Sequence, residues 1–259
     1  LRLSIRSSRA CVLPQEQGKK VYIPKRFIPP MRDFFGNERP GKWESPLSEQ
    51  IASQYYELTE DPGEADFALV VISTPTQGRG AGYSRQDVAA GGNGFMPISL
   101  QYEEYTAEFA RDPSIAGDPR YEDVLSRTYK NKTVETLNVT DLKMILETKE
   151  KMKDKPVISV LNLTNPSVVR EFESNIDGLL VSFGVQDQAL FDIISGKTEP
   201  SGLLPLQIPA GMKTVELQYE DVPLDMDCHV DSEGNSYDFG YGMNWAGVIN
   251  DERVMKYVR

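Results

Sequence analysis

Three short apolar runs constrain this chain more than anything else in it: residues 67–72, 157–163 and 179–183. Each has strand length and little polar interruption, the pattern of a strand covered on both faces. Helical patterns lie between them. Asn138 and Asp141 open one that runs to about Met152, with Leu142, Ile145 and Leu146 on its apolar face, and Lys155-Pro156 stops it. Asn165-Pro166 opens a second, with Val168, Val169 and Phe172 facing inward. A third runs from Asp187 to Ser195 and ends at Gly196. Strands alternating with helices predict an α/β fold: a mainly parallel sheet covered by helices on both faces, an α/β sandwich with long loop insertions. Upstream, residues 20–23 read as a first strand, the proline-rich stretch 24–46 as a surface excursion, and residues 48–58 as a helix carrying Ile51, Tyr55 and Leu58 on one face.

Composition narrows the function classes. A net charge of −11 with no basic stripe argues against a nucleic-acid partner. The longest apolar run, residues 67–72, is far too short to cross a bilayer, so no membrane partner is expected. His229 is the only histidine, and no serine sits in a nucleophile elbow, so a Ser-His-Asp hydrolase has no basis. Asp225, Asp227, Asp231, Glu233 and Asn235 form an oxygen-rich run, but Gly234 is misplaced for a calcium loop and the run reads as a solvated acidic loop. Gly78, Gly80 and Gly82 cluster without the spacing or the lysine of a phosphate loop, which leaves a nucleotide-binding, flavodoxin-like reading a distant third. Cys11 and Cys228 read as small hydrophobes, with a disulfide between them left open.

Two spaced segments near the end are more specific. Glu199-Pro-Ser-Gly-Leu-Leu-Pro-Leu-Gln-Ile-Pro209 is a turn and an extended stretch, in which Leu204, Leu206 and Ile208 alternate as in a strand at the border of a core. Tyr237-Asp-Phe-Gly-Tyr-Gly-Met-Asn-Trp245 follows after a long loop. In order and spacing the pair resembles the end of the second domain of family 3 glycoside hydrolases. The resemblance covers roughly residues 1–30, 65–102 and 140–245. It implies a single C-terminal domain over 1–259, with 1–20 as a linker helix from a barrel, 73–136 as loop insertions and 210–259 as a C-terminal extension.

Similar enzymes are β-glucosidase-like, retaining exo-glycosidases whose nucleophile lies in the barrel. The resemblance therefore implies a β-linked oligosaccharide or glucoside as ligand and the barrel as partner, and no cofactor. A homodimer is left open, and a periplasmic or secreted setting is favoured. In such enzymes the loop after the strand at 67–73 often supplies the general acid/base, which needs a carboxyl group about 5–5.5 Å from the nucleophile and a raised pKa. Thr74-Pro-Thr-Gln-Gly78 contains no glutamate, so Asp87 is the first candidate and Glu103 and Glu104 the alternatives. Gln77, Arg85, Asn93 and Phe95 have the chemistry to bind a sugar ring and its hydroxyls. Trp43 is a further platform; Trp245 reads as an anchor for the closing segment. The alternative reading is a non-catalytic carbohydrate-binding or scaffold module that supplies no acid.

Overall fold

The computed structural model describes residues 18–32, 37–78, 82–112, 127–219 and 222–256. Five parallel strands form the central sheet: β1 (Lys20–Tyr22), β2 (Glu57–Thr59), β3 (Phe67–Ser73), β4 (Val157–Asn162) and β5 (Gly178–Ser182). Their spatial order is β2-β1-β3-β4-β5. Every residue of β3 from Phe67 to Ile72 is buried, as its unbroken apolar run predicts for a central strand. The register is continuous across the middle, with Val70 opposite Ser159 and Ser159 opposite Leu179.

Helices cover both faces. The connection from β1 to β2 through α1 (Glu49–Ala52) runs one way along the sheet, and that from β3 to β4 through α3 (Val139–Met152) runs the other. Right-handed crossovers in opposite directions place α1 and α3 on opposite faces. Leu142, Ile145 and Met152 bury the inner side of α3, and α4 (Asp187–Ile194) packs beside α1 through Phe191, whose ring stacks on Tyr55 at 5.5 Å. Two shorter helices, α2 (Arg85–Ala89) and α5 (Met212–Leu217), lie in the insertion and the closing region.

Several local expectations are corrected. The helix read over 48–58 stops at Ala52, because Glu57, Leu58 and Thr59 pair with Lys20, Val21 and Tyr22 as the sheet's edge strand. The proline-rich excursion is a hairpin, with Arg26–Ile28 pairing antiparallel to Lys42–Glu44. Asn165-Pro166 opens no α-helix; an irregular stretch ends in the 3-10 turn Glu173–Asn175, although Val168, Val169 and Phe172 are buried as expected. Asn138 heads α3 without a side-chain capping bond, since its amide group is engaged by the end of β3. Asp231 is buried, its carboxylate accepting from the Glu233 and Asn235 amides at 2.9 Å each, so that part of the acidic run is a folded turn and not a solvated loop. The linker helix read over 1–20 and Cys11 fall largely or wholly outside the described residues. The Cys228 thiol is pushed up to about 11, first by burial and next by the Asp238 carboxylate.

Residues 203–208 form no strand of the sheet. They pair instead with the second terminal segment: the Leu204 amide donates to the Tyr241 carbonyl at 2.7 Å, the Gly240 amide to Leu204 at 2.9 Å and the Ile208 amide to Tyr237 at 3.0 Å. Pro205 and Pro209 have no amide to donate, so a regular ladder cannot form. Gly242 packs directly on the Gly202 carbonyl, where a Cβ would overlap it. The two segments close the fold as one clasp, with Leu204, Ile208 and Tyr237 buried beneath.

Candidate functional site

Strand order reverses between β1 and β3, and in open α/β sheets that crevice, at the carboxyl ends of the strands, is where ligands bind. There an arginine and a buried aspartate meet. The Arg26 guanidinium donates from Nε and Nη2 to the two Asp141 oxygens at 2.8 Å each. Asp141 is fully buried and also accepts from the Ser73 amide at 3.2 Å and from Asn138 at 3.0 Å. Tyr102 donates its hydroxyl to the Ser73 carbonyl at 2.6 Å. A buried bidentate pair this well hydrogen-bonded fixes the end of β3 and directs the next residues outward.

Those next residues form the glycine-rich insertion. The Thr76 amide donates to Asn138 at 2.9 Å, and Gln77 donates from its side chain to the Ser99 carbonyl at 3.0 Å. Beyond Gly82 the chain folds back on itself: Tyr83 bridges Phe95, the Met96 amide donates to Gly82 at 3.0 Å, and the Ser84 amide donates to Gly94 at 2.7 Å. Ser84 caps α2 inside this hairpin. Gly94 has a φ of +84°, and a Cβ there would strike the Tyr83 ring, so only glycine fits.

Asp87 sits at the centre of the hairpin. Its carboxylate accepts from the Lys132 ammonium at 2.6 Å and the Gly94 amide at 2.7 Å. Lys132 also donates to Asn93 at 2.6 Å, and Asn93 donates to the Thr128 carbonyl at 2.8 Å. The Lys132 hydrogen bond, followed by the Gly94 amide, holds the Asp87 carboxyl below the usual carboxylate range. These contacts favour an ionised brace over a proton donor. Phe95 is half-buried, its ring 5.9 Å from Tyr83 edge to face, with the Arg127 guanidinium 5.9 Å above it. Arg85 is exposed on α2.

Lys132 thus joins Asp87 to Asn93, whose side-chain oxygen also accepts from the Phe95 amide at 3.1 Å, while Gln77 is tied to Ser99 and Glu103 and Glu104 form a separate group. Both glutamates are exposed just beyond Tyr102. The Tyr102 and Glu103 amides donate to Glu171 at 2.7 and 2.9 Å, and burial pushes the Glu171 carboxyl up against those two bonds. Sequence reasoning missed Lys132, Glu171 and the Arg26–Asp141 pair, each of which meets its partner only through the fold.

The model of the family described as "Glycosyl hydrolase family 3 C-terminal domain" matches residues 16–245. "Probable beta-glucosidase C" of Aspergillus flavus is 31% identical over 91 residues, 35% of this chain and 13% of that protein. "Beta-glucosidase C" of Emericella nidulans is 31% identical over 90 residues, 35% of this chain and 14% of its own length. Among solved structures, a β-glucosidase from Listeria innocua in complex with isofagomine aligns over 94% of this chain and 32% of its own, with 14% identity and a TM-score of 0.47. The chain therefore spans about a third of that enzyme, and its matches cover a smaller share of the fungal relatives. With the family model matched over most of its length, the chain belongs to the glycoside hydrolase family 3 C-terminal domain family.

Proposed function

We propose that this chain is the second domain of a retaining exo-β-glycosidase of the β-glucosidase kind, that its insertion after β3 forms one wall of the sugar site, and that it supplies the general acid/base. The nucleophile belongs to the barrel. One observation carries the reading: the chain leaving the end of β3 is built into a self-braced projection, and the two exposed carboxylates Glu103 and Glu104 follow it in the chain just past Tyr102. Asp87 braces the wall, and Glu103 or Glu104 is the proton donor, since the Asp87 carboxyl is held ionised by Lys132. Arg85 and Phe95 face the sugar.

Asp87→Asn, Glu103→Gln and Glu104→Gln in the full-length enzyme test this. The acid/base variant should lose about 10²–10⁴-fold on glycosides with poor leaving groups. It should lose less on activated aryl glycosides, and azide should restore the second step, because a small anion needs no general base. Near-normal rates in all three would place the acid outside this chain. One observation favours the non-catalytic module instead: Asp87, Asn93 and Gln77 all direct polar atoms to partners within the chain. The same three variants separate the two readings.

A further inference from the structure

Tyr102 is fully buried and held at four points. Its hydroxyl donates to the Ser73 carbonyl at 2.6 Å, its carbonyl accepts from the Thr136 hydroxyl, and its ring meets Phe172 edge to face with centroids 6.1 Å apart. Its amide donates to Glu171 Oε2 at 2.7 Å. The insertion leaves β3 at Ser73 and comes back just before α3 at Thr136, so this one ring ties the insertion's two roots together. Glu103 and Glu104 follow it directly and are exposed. Their backbone is nevertheless fastened at both ends. The Glu103 amide donates to Glu171 Oε1 at 2.9 Å, and the Gln101 side chain donates to the Glu104 carbonyl at 3.2 Å.

Both oxygens of one carboxylate are thus given to two consecutive amides. Burial, the largest influence on Glu171, works against the charged form that makes these bonds, and the Glu103 charge is felt there as well. An amide next to an exposed residue could bond to water instead, so the clamp adds less to stability than to geometry. What it fixes is the direction in which the chain carries Glu103 away from the buried ring. A proton donor needs that fixity, since a displacement of about 1 Å can cost about 10²-fold in rate. We propose that Glu171 is a positioning residue, that its carboxylate sets the backbone from which Glu103 reaches the leaving-group oxygen, and that Glu103, not Glu104, is the proton donor. The inference rests on the acid/base reading above and names the residue within it.

The test compares Glu171→Gln, Glu103→Gln, Glu104→Gln and the double variant Glu103→Gln/Glu171→Gln in the full-length enzyme, each on a glycoside with a poor leaving group and on an activated aryl glycoside. Glu171→Gln keeps the side chain's shape and one acceptor oxygen but turns an NH₂ group toward one of the two amides. It should lower kcat on the poor leaving group about 10–10²-fold with KM unchanged, and lower it less on the activated glycoside. The double variant should lose no more than Glu103→Gln alone, because residues that act through one group are not additive. Should Glu171→Gln melt well below wild type, Glu171→Asp, which keeps the charge and withdraws it by one methylene, is read in its place. Equal losses on both substrates, losses that multiply in the double variant, or a wild-type rate without the Glu171 carboxylate in place would overturn the positioning role and leave the acid/base reading standing. A loss confined to Glu104→Gln would also overturn the proposal while sparing that reading. Near-normal rates in both Glu103→Gln and Glu104→Gln would overturn the two together.

Discussion

Asp87 shows how a residue's chemistry is set by partners that lie far off in the chain. The sequence offers it as the first candidate for the general acid/base, whereas Lys132, placed by the fold, makes it an ion pair with both side chains about one-fifth exposed. The consequence for pH follows from the direction of the shift. A folded-state pKa held below the unfolded value of about 3.9 contributes stability that is present above that value and lost as the pH falls through the depressed one. Asp87→Asn should therefore melt below wild type at neutral pH, and the gap should close in acid. Melting curves between neutral and strongly acid pH measure this, and a gap of constant size across that range would refute it.

At the scale of elements, β3, β4 and β5 were legible because a buried parallel strand is written in consecutive apolar residues, and α3 and α4 because their apolar faces recur at helical spacing. Residues 57–59 were not legible. Leu58 fits the helical spacing of Ile51 and Tyr55, and only pairing with β1 shows that the helix has already ended. The segment after Pro166 misled in the opposite way: its apolar positions were right, and its backbone is irregular. For the proposed site, residue types pointed to the insertion after β3, but contacts across the fold decide what each residue touches there. The terminal clasp gives an element-scale prediction. A methyl group at residue 242 would press on the Gly202 backbone, which cannot rotate away as a side chain could. Gly242→Ala should cost about 1–3 kcal/mol, the range for overpacking. A lower urea midpoint at unchanged m-value would show it, and an unchanged midpoint would mean that the clasp has room to spare.

For the whole molecule, the prediction concerns division of labour. A retaining mechanism needs two carboxyl groups on opposite sides of one bond. The purified chain should therefore hydrolyse no aryl β-glucoside, whereas the full-length enzyme should; turnover by the isolated chain, free of contaminating enzyme, would defeat the proposed arrangement. The clasp between Gly202 and Gly242 has a wider consequence. The residues that make the family recognisable at this end of the chain hold two stretches of backbone together, and none of them belongs to the glycine-rich projection. If the proposed function holds, kinship and chemistry are encoded in different places. A descendant could exchange every acid in that projection for an amide and still be assigned to the same family on the strength of its latch.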